Sequence, residues 1–367
     1  MQFDVVPVTI DIPESELVDL KDRLARTRWP RQIEGAGWDY GTNIDYLRDF
    51  CDYWRNDYDW RATEATLNSY PQYRVNIDGV DIHFWHIRGT GANPSPLLLL
   101  HGWPGSIWEF RYCIDGLADF DLVIPCLPGF GFSSMPTERG WGVTRMAHAL
   151  NTLMVGLGHD RYVAQGGDWG GILCAHLGAD YPEHVMGIHV NRTWVEITEP
   201  IRSQVAEWVK WDSDFRKREA AYSLLQKTKP DSLTVAQNDS PAGLAAWILE
   251  KFYTWGDTHG DLDSAFRRED LAANLMFYWL PASAPGSARI YYELQYDEHA
   301  LLRLPVRVPT AVAEFPRETF LAPRLASEQR YPIVSWTTMP AGGHFAALEQ
   351  PQLLVDDIRQ FAATLTR

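Results

Sequence analysis

The sequence predicts a mostly parallel, doubly wound α/β sheet that carries a helical cap and is preceded by an N-terminal extension. From Pro96 onward, short apolar runs alternate with helical patterns, which is typical of buried parallel strands joined by helices. After residue 190 the alternation gives way to helical stretches rich in Trp and Tyr, and it resumes later. We therefore divide the chain into an N-terminal segment (1–92), a first core part (93–190), a helical cap (191–295) and a second core part (296–367).

The composition is that of an ordinary globular protein. The 367 residues include 46% hydrophobic and 22% charged residues, which excludes general disorder. The net charge of −15 disfavours a nucleic-acid binder, which needs a positive face, and an anionic membrane surface would repel it. The four cysteines are scattered without C-x-x-C spacing. We expect them as buried or free thiols rather than as disulfides or zinc ligands.

The start of the chain shows no basic region followed by an apolar one, so no secretory signal is visible. No apolar run approaches the roughly 20 residues that span a bilayer. We therefore expect a cytoplasmic location without membrane association. The 13% of aromatic residues suit an apolar pocket, although packing explains them equally well.

The N-terminal segment is predicted to hold two helices and a hairpin. Residues 13–27 begin with proline and acidic residues and then place leucines on one face, which indicates an amphipathic helix. A second helix is predicted over 43–56. Residues 73–87 form two strand-like runs around Asp78-Gly79, a dipeptide suited to a tight hairpin turn.

The core strands are predicted from short apolar runs, and a helix is expected between most of them. A helix over 146–157, another that ends near Asp180 and a final helix from Glu349 complete the pattern. The predicted strands are 97–100, 122–124, 162–165, 185–190, 310–313 and 333–337.

Residues 166–170, GGDWG, have the G-x-nucleophile-x-G form of a nucleophile elbow between a predicted strand and a predicted helix. Asp168 occupies the nucleophile position. A carboxylate is already anionic, so it can displace a leaving group at an sp3 carbon, and water then cleaves the resulting ester at its carbonyl. The helix that follows favours the ionised form through its N–H groups. The alternative is that Asp168 only caps this helix.

A second turn, HGWPG at residues 101–105, follows the predicted strand 97–100. This is where hydrolases of this shape build the other half of an oxyanion hole. The backbone N–H groups of Trp103 and Trp169 would then stabilise the tetrahedral intermediate of ester cleavage. The alternative is a purely structural turn. We expect His101 to brace this loop rather than to act as a base.

A water-activating base is expected after the last strand. His344 lies there in a Gly-Gly-His turn and is the favoured candidate among the histidines. Its orienting acid should follow the preceding strand, where Glu314 and Glu318 both lie. Spacing alone does not choose between these two glutamates.

Several blocks taken together resemble the epoxide hydrolases of the microsomal and juvenile-hormone type, in a soluble bacterial-like form. The resemblance covers nearly the whole chain and includes the epoxide hydrolase N-terminal segment. It implies the α/β-hydrolase fold with a cap. The matching blocks are TRWP at 27–30, HGWPGS at 101–106, GGDWGG at 166–171, NDSPAGLAAWILEKF at 238–252 and GGHFAALEQP at 342–351.

The resemblance also implies residue roles. Asp168 is the nucleophile, His344 the base, and Glu318 rather than Glu314 the partner of the base. Two cap tyrosines would donate hydrogen bonds to the epoxide oxygen. The first is Tyr222, and the second is Tyr291, with the neighbouring Tyr292 left open. No organic cofactor and no metal ion is expected.

The implied reaction opens an epoxide to a vicinal diol through a hydroxyalkyl ester on Asp168. The expected partners are water and a small epoxide of apolar or aryl character, and a homodimer is left open. A dehalogenase is the nearest alternative, since it also uses an Asp nucleophile and Trp169 could hold a halide. An esterase is disfavoured because Asp168 lacks the hydroxyl used in acyl transfer. A non-catalytic binding protein of this fold is disfavoured because Asp168, Glu318 and His344 are all present.

Overall fold

The computed structural model of the chain describes residues 3–91, 93–302 and 305–365. The strands formed by these residues join in one sheet. In chain order they are β1 (Val5–Pro7), β2 (Gln72–Ile77), β3 (Val80–Ile87), β4 (Ser95–Leu100), β5 (Phe120–Pro125), β6 (Tyr162–Gly166), β7 (Val185–Val190), β8 (Thr310–Glu314) and β9 (Ile333–Thr338).

The spatial order of the strands is β1-β2-β3-β5-β4-β6-β7-β8-β9. Strands β4 to β9 pair in parallel. Strands β1, β2 and β3 extend the sheet at one edge by antiparallel pairing, and β3 joins the parallel part through β5. The predicted mostly parallel α/β sheet is therefore confirmed, and the N-terminal segment contributes three strands to it.

The hairpin predicted at Asp78-Gly79 links β2 to β3. Asp78 has a φ of 53° and Gly79 a φ of 84°. Two successive positive φ values are what a two-residue type I′ turn requires, and its twist matches that of the paired strands. The dipeptide thus sets the register in which Ile77 pairs with Val80.

Some helices pack against the sheet. Others form the cap (191–295), which is inserted between β7 and β8. The N-terminal segment contains α1 (Glu14–Ala25), α2 (Ile44–Asn56) and α3 (Trp60–Ser69). The first core part contains α4 (Val143–Gly156) and α5 (Asp168–Asp180). The cap contains α6 (Ile201–Gln204), α7 (Ala206–Glu219), α8 (Ala221–Thr228), α9 (Pro230–Asp239), α10 (Pro241–Trp255), α11 (Leu262–Ala265), α12 (Arg268–Trp279) and α13 (Ala284–Leu294), and α14 (Glu298–Leu302) follows it.

The last part of the chain contains α15 (Arg324–Ser327), α16 (Ala346–Glu349) and α17 (Pro351–Leu365). The prediction that the final helix begins at Glu349 is wrong, because Glu349 ends α16 and the final helix begins at Pro351. Proline lacks an N–H group and fits the first turn of a new helix rather than the interior of a continuing one. No helix built from the described residues has the length and apolar character needed to cross a membrane.

The carboxyl ends of the parallel strands meet at one edge of the sheet, which is the usual place for a site in such folds. At this edge β4 leads into residues 101–105, β6 into Asp168 and β7 into Arg192. The strands themselves are buried, and Leu97 to Leu100 have no exposed surface. The four cysteines are buried as predicted, and burial raises the pKa of the Cys51 thiol to about 12.

Candidate active site

Asp168 projects from a tight turn between β6 and α5. Its φ of 44° lies in the left-handed region, which is strained for a residue with a side chain and is tolerated mainly at functional sites. A Cβ on Gly170 would lie 2.0 Å from the carbonyl oxygen of Leu100, and one on Gly166 would lie 2.3 Å from the carbonyl carbon of Gly170. Only glycine therefore permits this close approach of helix and strands, as the elbow motif predicts.

The two carboxylate oxygens of Asp168 have different partners. Oδ1 accepts a hydrogen bond of 2.9 Å from the backbone N–H of Trp103. Oδ2 accepts one of 2.7 Å from Nη1 of Arg192. The Asp168 side chain is only 7% exposed, so these contacts replace most of its solvation. The N–H of Trp169 lies in the first turn of α5, where N–H groups have no partner within the helix.

His344 lies beside Asp168 and is held by Glu318. Its Nδ1 is 2.9 Å from Oε2 and 3.1 Å from Oε1 of Glu318. Its Nε2 is 3.7 Å from Oδ2 of Asp168, which is too long for a hydrogen bond. With Nδ1–H donating to Glu318, the Nε2 lone pair faces the nucleophile. This is the orientation that a base for an attacking water needs.

The pKa values of His344 and Glu318 are shifted in opposite directions. Burial alone would lower the pKa of His344, but the charge of Glu318 and the hydrogen bond to it raise that pKa above its ordinary value. Burial alone would raise the pKa of Glu318, but His344 and the N–H of Phe320 lower it. The Glu318 side chain has no exposed surface. The buried carboxylate therefore stays ionised and stabilises an imidazolium.

Glu314, the other candidate for the orienting acid, has different contacts. It ends β8 and accepts hydrogen bonds of 2.9 Å from Nε1 of Trp336 and 2.8 Å from Oγ1 of Thr338. Of the two glutamates, Glu318 thus reaches His344, and Glu314 is engaged on β9.

Tyr222 on α8 and Tyr291 on α13 lie over the two turns. The ring of Tyr222 stacks on Trp103 with 5.1 Å between centroids, and Tyr291 meets the ring of Trp169 edge-on at 4.7 Å. Both tyrosines are buried, and burial raises the pKa of each phenol above its ordinary value. The ring of Tyr292 packs instead against the ring of Tyr296, tilted by 44° with 5.0 Å between centroids. Of the two neighbouring tyrosines, the structure therefore brings Tyr291 to the site.

His101 braces the turn after β4, as predicted. Its Nδ1 lies 3.1 Å from the carbonyl oxygen of Gly102, and its Nε2 accepts a hydrogen bond of 3.1 Å from the N–H of Leu127. This pattern corresponds to a neutral ring that donates through Nδ1. Burial lowers its pKa to about 4, so the ring remains neutral.

Sequence reasoning did not single out Glu109. Ser106 and Glu109 form a capping box at the start of the 3-10 helix Ile107–Tyr112. The Glu109 side chain also lines a small cavity together with Asp168 and His344. Burial raises its pKa to about 8, so this acid is largely protonated at neutral pH. The S-x-x-E spacing was the signal that could have identified it.

Sequence reasoning also missed Arg192, which contacts the nucleophile directly. It lies two residues beyond β7, at the carboxyl edge where functional groups of parallel sheets gather. That position was a usable signal. Among the residues that the structure describes, no group of three or more His, Cys, Asp or Glu side chains is arranged to bind a metal ion.

Comparisons with known proteins show the family of this chain. Residues 5–110 match the family model described as epoxide hydrolase N terminus, and residues 95–285 match the model of the alpha/beta hydrolase fold. Epoxide hydrolase 1 of Oryctolagus cuniculus is 36% identical, with 98% of this chain and 89% of that protein covered. Juvenile hormone epoxide hydrolase 2 of Ctenocephalides felis is 37% identical, with 96% and 84% covered.

Solved structures give the same result. The juvenile hormone epoxide hydrolase of Bombyx mori superposes with a TM-score of 0.93 at 31% identity, over 100% of this chain and 95% of that one. The epoxide hydrolase of Aspergillus niger superposes with a TM-score of 0.89 at 29% identity, over 99% and 97%. The expected α/β-hydrolase fold is confirmed, and the chain belongs to the epoxide hydrolase family.

Proposed function

We propose that this protein hydrolyses an epoxide to a vicinal diol through a covalent ester on Asp168. One observation carries the proposal. Asp168 lies between a backbone N–H group, a His344–Glu318 pair and two buried tyrosines. The names of the relatives support the epoxide as the reacting group and favour it over the haloalkane alternative.

The first step is ring opening. Oδ2 of Asp168 attacks one carbon of the epoxide, and the bond between this carbon and the ring oxygen breaks. The leaving oxygen takes a proton from Tyr222 or Tyr291. Because burial raises the pKa values of both phenols, each remains protonated at neutral pH and is able to donate. We assign the second tyrosine to Tyr291 because Tyr292 packs on Tyr296.

The second step is ester hydrolysis. Nε2 of His344 takes a proton from a water molecule, and the resulting hydroxide attacks the ester carbonyl. The former Oδ1 of Asp168 becomes the oxyanion and keeps its hydrogen bond to the N–H of Trp103. The N–H of Trp169 is the second proposed donor. Collapse of the intermediate breaks the bond between the carbonyl carbon and the alkoxy oxygen, and this oxygen takes the proton of the added hydroxyl, which completes the diol and restores the carboxylate. The proton on His344 then returns to the phenolate, directly or through solvent.

We propose an apolar or aryl substituent on the epoxide. A cavity of about 140 Å³ is lined by Trp169, Arg192, Tyr222 and Tyr291. Much of its lining is aromatic, which favours flat apolar groups. The aromatic residues of this lining are Trp169, Trp194, Trp208, Phe215, Tyr222, Tyr291 and Phe320.

A single-turnover experiment in H₂¹⁸O with enzyme in excess over styrene oxide tests the mechanism. Attack of water on the ester carbonyl places ¹⁸O in Asp168 and leaves the first diol unlabelled. Under multiple turnover the label then enters the diol, which serves as the internal control. Label in the diol of the first turnover, with none in Asp168, would show direct attack by water and contradict the proposal.

We also propose a cytoplasmic location, supported by the four buried cysteines, because a reducing compartment does not require their pairing. Cell fractionation with an antibody against the chain tests this location. The homodimer that the sequence leaves open is tested by sedimentation velocity at micromolar concentration.

A further inference from the structure

A small cavity borders both Asp168 and His344. Its volume is about 20 Å³, and about 10–15 Å³ is enough to hold one water molecule. Among the described residues, none lines both this cavity and the larger one of about 140 Å³, to which Tyr222 and Tyr291 belong. A water molecule in the small cavity would therefore lie beside the nucleophile and the base and leave the larger cavity to the epoxide.

Glu109 brings a carboxyl group to the small cavity. Its Oε1 accepts a hydrogen bond of 3.2 Å from the N–H of Ser106, while its Oε2 forms no hydrogen bond with another described residue. Gly105 also lines the cavity and leaves room for this carboxyl, because a Cβ on Gly105 would overlap Oε1. The carboxyl thus occupies the place of a side chain at residue 105, and one of its oxygens remains available.

Glu349, five residues after His344, provides a contrast. Its Oε2 accepts a hydrogen bond of 2.6 Å from the N–H of Asp257, and its Oε1 accepts one of 2.9 Å from the N–H of Phe345. Both oxygens therefore have backbone partners, and Glu349 does not line the small cavity. Of these two acids, only Glu109 both lines the cavity and has an oxygen without a partner in the described part of the chain.

Gln165 is a second polar side chain of this cavity, and it is only 1% exposed. Its Nε2 donates a hydrogen bond of 3.1 Å to Oδ1 of Asn191, which lines the cavity too. Its Oε1 has no hydrogen-bond partner among the residues that the structure describes. Ordered water commonly satisfies buried polar atoms of this kind. The cavity is thus polar as well as large enough for one water molecule.

We propose that Glu109 is a positioning residue, which holds the water molecule for ester hydrolysis in this cavity, between Nε2 of His344 and the carbonyl carbon of the Asp168 ester. This inference deepens the proposed function and rests on it. The water must contact the base and the ester carbonyl at the same time, and the small cavity borders both residues. Glu109 adds the contact that fixes the water between them.

The carboxyl of Glu109 acts without changing its own charge. Burial is the largest cause that raises its pKa to about 8, so the group is largely un-ionised at neutral pH. Because Oε1 already accepts the N–H of Ser106, the proton lies on Oε2, which donates a hydrogen bond to the water oxygen. The water gives one proton to Nε2 of His344 and attacks the ester with its other lone pair. Glu109 keeps its own proton throughout.

A single-turnover experiment with enzyme in excess over styrene oxide tests the inference. Samples are quenched in acid from milliseconds to seconds, and intact mass spectrometry follows the rise and the decay of the adduct separately. In Glu109→Leu the water loses its contact, and we expect decay to slow by about 10²-fold, since a misplacement of about 1 Å costs this much. The rise should change less than about twofold, because this step does not use the water.

Glu109→Gln is the conservative variant. Its amide supplies an acceptor in place of Oε1 and an N–H donor in place of the Oε2 hydroxyl, and glutamine also suits the capping box with Ser106. We therefore expect decay of the adduct within about threefold of the wild-type rate. Rescue by glutamine would show that a neutral hydrogen-bonding group is sufficient.

Two further variants separate the water contact from folding. Gly105→Ala keeps Glu109 but places a methyl group where Oε1 lies, so it should displace the carboxyl and slow decay as Glu109→Leu does. Ser106→Ala is the matched control, because it removes the other half of the capping box and Ser106 does not line the cavity. It should lower Tm and leave both rates close to those of the wild type.

A Glu109→Leu variant whose adduct decays at the wild-type rate would overturn the inference. So would equal slowing of rise and decay, which indicates a structural role, or a Glu109→Gln variant as slow as Glu109→Leu, which indicates that Glu109 acts through its charge. In each of these cases an adduct on Asp168 would still support the proposed function. Diol formation without an adduct in the wild type and in every variant would overturn both.

Discussion

The core side and the cap side of the site hold their functional groups in different ways. On the core side, His344 and Glu318 are fixed by hydrogen bonds, and Oδ1 of Asp168 by the N–H of Trp103. On the cap side, Tyr222 and Tyr291 are positioned by ring contacts with the tryptophans of the two turns. Changes on the core side should therefore alter protonation and chemistry. Changes on the cap side should alter how well the leaving oxygen is stabilised.

The largest expected effect is on the core side. Asp168→Ala removes the nucleophile, and we expect the rate of styrene oxide hydrolysis to fall by about 10⁴-fold or more. Diol formation followed by chromatography measures it. A circular dichroism spectrum equal to that of the wild type controls for folding. A variant that kept a tenth of the activity would show that another group attacks the epoxide.

The cap side should show an intermediate effect. Tyr222→Phe and Tyr291→Phe keep the rings and remove the proton donors, and we expect each to lower kcat/KM for styrene oxide by about 10²-fold. Tyr292→Phe removes a hydroxyl from the next residue, which packs on Tyr296 outside the site, and should change kcat/KM less than twofold. Equal losses in Tyr291→Phe and Tyr292→Phe would remove the basis for choosing Tyr291.

The dependence of kcat on pH should distinguish variants on the core side from variants on the cap side. His344 must be neutral to act as a base, and its pKa is raised by Glu318. The acid limb of kcat should therefore lie above the ordinary histidine value of about 6.5. In Glu318→Gln the loss of the negative charge lowers this pKa, so the limb should move to lower pH while the maximal rate falls. Tyr222→Phe should leave the limb in place. A limb that does not move in Glu318→Gln would contradict the coupling.

Both members of this pair contribute stability, with opposite dependences on pH. Glu318 has a lowered pKa, so its contribution is present above its ordinary value and is lost as the pH falls through the lowered one. His344 has a raised pKa, so its contribution is present below its ordinary value and is lost as the pH rises through the raised one. We expect the wild type to lose this part of its stability at both ends, and Glu318→Gln to show a flatter curve of Tm against pH.

Two glycines, Gly170 in the elbow and Gly79 in the hairpin, should affect stability alone, and their comparison tests the close packing of the elbow. Gly170→Ala places a methyl group 2.0 Å from a carbonyl oxygen, and we expect a loss of about 3 kcal/mol in the free energy of unfolding. Gly79→Ala meets no atom within 4 Å but has a φ of 84°, and we expect about 1 kcal/mol. Urea denaturation measures both. Equal losses of unfolding free energy in the two variants would show that the close packing at Gly170 does not determine the loss of stability.

The sequence predicted the elements whose cause is local. The Asp78-Gly79 turn and the elbow around Asp168 depend on backbone conformations and close approaches that only certain residues permit. The choice between Glu314 and Glu318 could not be made from spacing, because the path of the loop after β8 decides which carboxylate reaches His344. That choice came from the family resemblance.

The contact of Arg192 with Asp168 could not be predicted from the local sequence. An arginine after a strand is most often a surface residue, and its contact with Asp168 depends on two turns meeting in space. Tyr291 and Tyr292 are similar in this respect. Neighbouring residues on a helix point about 100° apart, so one faces the site and the other faces Tyr296, and only the packing of α13 decides which.

The covalent ester on Asp168 is the central claim, and intact mass spectrometry of a His344→Gln variant tests it most directly. The variant is mixed with styrene oxide and quenched in acid after seconds. Without the base the ester should accumulate, so the protein should gain the mass of the whole epoxide, and the gain should map to the peptide that contains Asp168. Asp168→Asn should show no gain. A His344→Gln variant that turns over without any adduct would contradict the mechanism.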